Sequence, residues 1–378
     1  MKIEIKTLGE IVTLSKGKKH LPAENGKNRY INIENLHNSA NSLFTNEEGT
    51  FVGEDDLIIA WDGANAGKVG VGFVGVIGST LARMRIKTPN ISSRYLYWYL
   101  ESKNDSIKSQ RTGATIPHVN GNSLKEIHIP LPPLATQKRI AEILDAADAL
   151  RRKDQELLKK YDELAQAIFI DMFGDPVKNE KGWEVKKLKS ICRSINVGFV
   201  GVCEPFYTDK NNGVPLIRTG NLGEGFLKLD KVKYVTRDFH NKQKKSILQK
   251  NDILIARHGD NGKAVLYNAD FPEANCLNIV ILRLESTTNP VFMTSLLNND
   301  SLRKWISGKI GGATQKVINT KALYDVPVIT VNLKAQNNFG DIIKFTENQK
   351  SLVIEEIGNA NSLFETLIQK AFKGELVS

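Results

Sequence analysis

The chain has 378 residues, a formal charge of +10, 41% hydrophobic and 25% charged residues, the balance of a globular protein with material for two or three domains. No apolar run approaches the roughly 20 residues of a membrane span, and the start, Met1-Lys2-Ile3-Glu4, has no signal-peptide pattern. Cys192, Cys203 and Cys276 fit neither a zinc site nor a disulfide framework, so a cytoplasmic protein with buried or incidental thiols is expected.

In chain order, segments 29–33, 57–61 and 81–86 read as short strands bounded by Gly- and Asn-rich turns. A helix is expected at 93–101. The run Pro130-Leu131-Pro132-Pro133 cannot be helical throughout, but from 136 to 173 no Gly or Pro interrupts the chain, and Phe173-Gly174-Asp175-Pro176 is a stop pattern. That predicts a helix of about 38 residues, roughly 57 Å at 1.5 Å per residue. Ala147, Leu150, Leu157, Tyr161, Leu164 and Ile168 follow a 3,4 alternation broken only by Asp154, which predicts a seam against another helix. Further on, 253–256 and 279–284 read as strands, 291–297 as a helix, and 334–372 as a second long helix. Its seam is Val353, Ala360, Leu363 and Leu367, with polar Thr346, Gln349 and Glu356 at equivalent positions. Gly358 inside it predicts a bend or a close helix approach, since an interior Gly costs about 1 kcal/mol.

The chain repeats itself once. Gly113-Ala114-Thr115 recurs as Gly312-Ala313-Thr314, and Leu124, Ile129, Gln137, Leu164 and Phe173 recur at Leu323, Val328, Gln336, Leu363 and Phe372, all 199 residues on. Before residue 113 the register drifts: Asp56 answers Asp252, and Asn35 answers Asn221. A period this long marks a duplicated domain, not a solenoid of roughly 20–50-residue units. The expected fold is α+β. Two α/β domains with twisted, mostly antiparallel sheets (1–133 and 176–333) are separated by two long antiparallel coiled-coil helices (134–175 and 334–378) in a pseudo-twofold duplication. Each helix should start beside its own globular front and end beside the other. The fronts carry +3 and +10, the helical segments −2 and −1; basic fronts are what contact with a phosphate backbone requires.

The candidate DNA contacts sit on loops. After the first-copy central strand stand Trp61, Asn65 and Lys68; after the second, Arg257, His258, Asn261 and Lys263. Arg can pair bidentately with guanine and Asn with adenine, while Lys more often meets phosphate. Further candidates are Lys16, Lys18 and Lys19 in the run ending at His20, Arg218 with Asn221, Thr115 in the first G-A-T loop, and Thr314, Gln315 and Lys316 in its repeat.

Two patterns point elsewhere and fail. Gly70-Val71-Gly72-Phe73-Val74-Gly75 matches a dinucleotide fingerprint, but strand-like residues follow where a helix is needed. Glu54 and Asp55 face Lys250 and Asn251 in the second copy, so the acidic run is not a duplicated metal-nuclease site. With no Walker lysine motif, methyltransferase cofactor motif or Ser-His-Asp set, no catalytic residues are expected. DNA binding competes with a non-enzymatic scaffold whose globular ends bind proteins and whose helices form a coiled-coil strut.

LIIAWDG at 57–63, ILIARHGDNGK at 253–263, the two G-A-T loops, IPLPPLATQKRI at 129–140 and the closing AFKGEL at 371–376 together resemble the DNA-specificity subunit of type I restriction-modification enzymes. The resemblance spans nearly the whole chain. It implies two target-recognition domains, each reading one half of a bipartite double-stranded DNA site, with helices that set the spacer. It also implies docking of two methyltransferase subunits and of restriction-translocase subunits. S-adenosylmethionine, ATP and Mg²⁺ would sit on those partners and none on this chain. VPVITVNL at 326–333 departs from the family's proline-rich entry to the helix.

Overall fold

The computed structural model describes residues 3–36, 43–113, 115–223, 225–257, 263–309, 318 and 320–377. The chain divides into two compact units, Met1–Gln155 with Glu355–Ser378, and Glu156–Ile354. In the first, a four-stranded antiparallel sheet runs in the order Val12–Lys16, Leu81–Ile86, Leu57–Ala60, Val69–Val71. A second sheet, Leu43–Thr45, Asn28–Ile31, Gly75–Ile77, Phe51–Val52, contains one parallel pairing, between its middle strands. Glu4–Thr7 pairs with His128–Leu131, from which the chain enters the central helix Leu134–Phe173.

The second unit repeats the plan. Cys192–Val197, Ile279–Leu284, Ile253–Ala256 and Ala264–Leu266 form the antiparallel sheet. Tyr207–Thr208, Lys233–Val235, Val214–Arg218 and Asn275–Leu277 form the mixed one, its last pairing parallel. Glu184–Lys187 pairs with Pro327–Thr330 ahead of the terminal helix Leu333–Lys373. The fold is thus α+β and mostly antiparallel. The strand expected at 29–33 stops at Ile31 and gives way to a 3-10 turn, Ile33–Leu36, because the buried Asn35 side chain accepts from Asn32 N at 2.9 Å.

The central strands explain their own sequence. Leu57–Ala60 and Ile253–Ala256 are buried at every position. In the first, Leu57 and Ile59 face a core shared with Leu96, Tyr99 and Leu144, while Ile58 and Ala60 face a second cluster with Ile31, Val52 and Ile77. Ile253 and Ile255 are divided from Leu254 and Ala256 in the same way. A strand covered on both faces reads as an unbroken apolar run, and cutting one such buried isoleucine to Ala costs about 2–5 kcal/mol.

A duplicated glutamine ties each front to its long helix. Gln137 is buried; its Oε1 accepts from Ser92 N (3.0 Å), and its Nε2 donates to Pro132 O (2.9 Å) and Asn90 O (3.2 Å). Gln336 does the same work on Asn289 N (2.8 Å) and Val331 O (2.6 Å). Ser92 and Asn289 are the N-cap residues of the helices Ser93–Ser102 and Pro290–Asn298, so the side chain joins two helix starts.

Within each unit the long-helix segments run antiparallel. In the second, Asp162 meets Lys350 at 2.7 Å while Phe173, further along, meets Phe339, further back. The helix ends are exchanged between copies as the duplication predicts. Phe372, ending the second copy's helix, packs edge-on against Tyr95 and Tyr99 (5.7 and 5.0 Å between ring centres), and Phe173 packs against Phe292 (4.9 Å).

The seam register needs correction. Ala147, Tyr161, Ile168, Val353, Ala360 and Leu367 lie on or beside the contact face, but Leu150, Leu157, Leu164 and Leu363 are 52, 38, 46 and 54% exposed. The contact face runs one residue later at these places, through Arg151, Leu158, Ala165 and Phe364. The Arg151 guanidinium lies 4.2 Å from the centre of the Phe364 ring, and Thr346 and Lys350 are buried. Because the true seam is partly polar, a register chosen by apolar residues slides onto the neighbouring leucines. The close helix approach expected at Gly358 is corrected too: the helix runs through it, and a Cβ there would meet nothing within 4 Å. The close approach falls at Gly340, where a Cβ would lie 3.0 Å from Asn289 Nδ2.

Cys203 and Cys276 are buried and Cys192 is half-buried; burial pushes the Cys192 thiol up to about 12, the mark of an unreactive thiol. Among the described residues no helix is long and apolar enough to cross a membrane.

Candidate nucleic-acid interface

The first-copy loop begins where the central strand leaves the sheet. Trp61 N donates to Thr80 O at 2.7 Å, and Val119 N donates to Trp61 O at 2.9 Å. Asp62 and Thr112 each bridge to His118, so the strand end and the 112–119 segment are stitched together. Their side chains converge. His118 Nδ1 lies 2.6 Å from Asp62 Oδ1, and Lys16 Nζ lies 3.2 Å from Asp62 Oδ2 and 5.5 Å from the Trp61 ring centre. Gly121 lets the indole approach closely, since a Cβ there would lie 3.1 Å from Trp61 Cη2. Lys18, Lys19 and Thr115 are exposed. His20, at the end of the lysine run, is buried edge-on against Tyr30.

The structure brings together Lys16 and Trp61, expected separately from the sequence, and adds Asp62 and His118, which sequence reasoning missed. Comparison of the repeats gives no signal for His118, because position 317 is Val.

In the second unit Arg257 holds the place of Trp61. Ile318 N donates to Arg257 O at 3.1 Å, as Val119 N does to Trp61 O, and the Arg257 Nε donates to Ile318 O at 3.2 Å. His258, Asn261, Thr314, Gln315 and Lys316 lie outside the described residues.

Other expected contacts turn inward. Asn221 is buried; its Oδ1 accepts from Arg218 N (3.0 Å) and its Nδ2 donates to Lys228 O (2.9 Å). Each end of its amide has a backbone partner, so it builds the turn that carries half-buried Arg218. Asn65 is half-buried, its carbonyl accepting from Lys68 N at 3.0 Å. Lys68 lines a polar cleft with Arg94, Glu101, Asp145 and Arg152. Burial holds its ammonium below the usual lysine range against the opposing pull of Glu101, whose own carboxyl burial pushes up. Lys263, its counterpart, lines a cleft with Asn298, Asp300 and Arg303.

The acidic run also has a structural account. Asp56 Oδ1 accepts from Arg85 Nε (2.9 Å), and its Oδ2 accepts from Arg85 Nη2 (2.7 Å) and Gly53 N (3.0 Å). Among the described residues no group of three or more His, Cys, Asp or Glu is placed to hold a metal ion. The glycine-rich run 70–75 leads into the strand Gly75–Ile77; Gly75, at φ +147°, sits where a Cβ would lie 2.3 Å from Arg29 O.

The chain is similar to known proteins in sequence and in fold. Residues 1–160 and 180–359 match the family described as the type I restriction modification DNA specificity domain. The type I restriction enzyme MjaVIII specificity subunit of Methanocaldococcus jannaschii is 29% identical over 377 residues, covering 91% of this chain and 86% of its own length. The EcoBI specificity subunit of Escherichia coli is 22% identical over 367 residues, covering 88% and 76%. Among solved structures, the type I restriction-modification S subunit from M. genitalium aligns with a TM-score of 0.62 at 18% identity over 98% of this chain and 96% of that one. A chain from a structure of type I R-M complex assembly and conformational transition aligns at 0.55, with 18% identity, over 99% and 98%.

Proposed function

The chain belongs to the type I restriction modification DNA specificity domain family, and on that premise we propose that its two fronts each read one half of a bipartite double-stranded DNA site. The observation that carries this reading is the duplicated strand end. Trp61 and Arg257 follow equivalent buried strands and are hydrogen-bonded to equivalent residues, Val119 and Ile318, one in each unit. Arg suits the acceptor pair of guanine, and the basic fronts favour the phosphate backbone. Different residues at equivalent places fit two different half-sites.

The helices serve the partners in this reading, and their length sets the spacer. Leu150, Leu157 and Leu164 repeat every seven residues on the exposed side of the central helix; Phe345 and Leu352, 66 and 55% exposed, do so on the terminal helix. Such stripes suit docking of two methyltransferase subunits, with restriction-translocase subunits joining them. This chain contributes recognition and its partners the chemistry, binding S-adenosylmethionine, ATP and Mg²⁺. The complex works in the cytoplasm, where the DNA is.

The test is a genome-wide map of methylated positions in cells carrying the chain with its cognate methyltransferase. The expected result is a split site, with Arg257→Ala costing about 1–3 kcal/mol and relaxing one position in one half. A continuous site, or no sequence preference, overturns the reading.

A further inference from the structure

We propose that His118 reads a base edge in the first unit's half-site and that Asp62 fixes which face of its ring is offered. The inference rests on the bipartite-reading function above and names the residue that carries specificity within it. An ionised carboxylate can only accept, so the 2.6 Å contact between His118 Nδ1 and Asp62 Oδ1 makes Nδ1 the donor. With the ring uncharged, as this inference requires, Nε2 is left a bare acceptor. Lys16 Nζ holds the second oxygen of Asp62 at 3.2 Å, and the paired backbones of 62, 112 and 118 fix the ring's base. Asp62 is 22% exposed at its side chain and His118 is 46% exposed, so the carboxylate lies beneath and the imidazole stands out. An outward acceptor with a fixed tautomer matches the exocyclic amino group that adenine or cytosine presents in the major groove, and it is mismatched to the O6 and N7 acceptors of guanine.

His118 is then a specificity-determining residue and Asp62 its positioning residue, while Lys16, paired to Asp62 and lying over Trp61, sits toward the phosphates. The experiment is the same methylation map, made with the full chain and its methyltransferase subunits for wild type, His118→Ala, Asp62→Ala and Lys16→Ala. His118→Ala and Asp62→Ala are expected to lower the preference at one and the same adenine or cytosine by about fivefold to tenfold, as loss of one hydrogen bond predicts. The half-site read by the second unit should be unchanged, which shows that the variants fold and assemble. Lys16→Ala should weaken all sequences and relax the His118 position less than Asp62→Ala does, since the Asp62–His118 contact remains. An unchanged first half-site in His118→Ala, loss spread over all positions, or relaxation at a guanine overturns this inference while leaving the bipartite reading standing. A wild-type map without two half-sites overturns both.

Discussion

Asp252 and Arg283 form a two-bond pair, Nε to Oδ1 at 2.8 Å and Nη2 to Oδ2 at 2.7 Å, that repeats the pair of Asp56 with Arg85 in the other unit. In both, the carboxylate also accepts a backbone N–H three residues earlier, Gln249 at 2.7 Å and Gly53 at 3.0 Å. The pair clamps the turn before each central strand to the neighbouring strand. The one position of the acidic run 54–56 that stays acidic in the second copy is therefore an anchor for the sheet.

The anchor makes stability depend on acid. Burial opposes the charge on Asp56, but the Arg85 pair and the Gly53 amide outweigh it and hold the carboxyl below its usual value. A depressed carboxylate contributes stability that is full above its unfolded-state pKa, near about 4, and is lost as pH falls through the folded-state value. Asp56→Asn should destabilise by about 1–3 kcal/mol at neutral pH. In urea titrations the gap to wild type should close below about pH 4; a gap that stays constant to low pH would contradict the assignment.

Gly358 offers a gain. The backbone there is helical and the space beyond it is open, so Gly358→Ala should stabilise the chain by about 1 kcal/mol. An unchanged or lower urea midpoint would show that the position is constrained in a way its surroundings do not reveal.

Lys350 tests the polar seam. Its ammonium bonds Asp162 at 2.7 Å and Glu347 at 3.0 Å; burial works against its charge, but the two carboxylates outweigh it and raise its pKa. Both carboxylates are about half exposed, so water can solvate them if the lysine is lost. Lys350→Met should be neutral or stabilising, by up to about 1 kcal/mol. A loss of several kcal/mol would make the ion pair a main source of helix cohesion.

Leu157→Glu with Leu164→Glu should leave urea stability within about 0.5 kcal/mol, since both side chains already meet water. Co-purification of the methyltransferase subunits should be lost. Retained assembly would move the docking surface elsewhere.

Much of the fold was legible because the signals were apolar and repeated. LIIA and ILIA named the central strands, and the uninterrupted run to Phe173 named the helix and, through Phe372, the exchange of helix ends. The seam was legible only in part, for the opposite reason: Arg151 and Lys350 occupy positions where a pattern reader looks for leucine, although Thr346 was placed there from the sequence. Asn221 shows a second limit. Its residue type suits base reading and turn building equally, and only burial with two backbone partners reveals the turn-building role. His118 shows a third, since a contact between residues 56 positions apart leaves no mark in spacing, composition or the repeat.

The division of the central strand between two cores bears on what binding costs. Leu57 and Ile59 are gripped from one side and Ile58 and Ala60 from the other, so the strand that carries Trp61 and Asp62 cannot rock on a single face. The backbone that presents these side chains is thus fixed when the protein folds. Under the proposed DNA-reading function, association would then lose less entropy per contact than from a free loop, and a wrong base would meet a group that cannot yield to accommodate it.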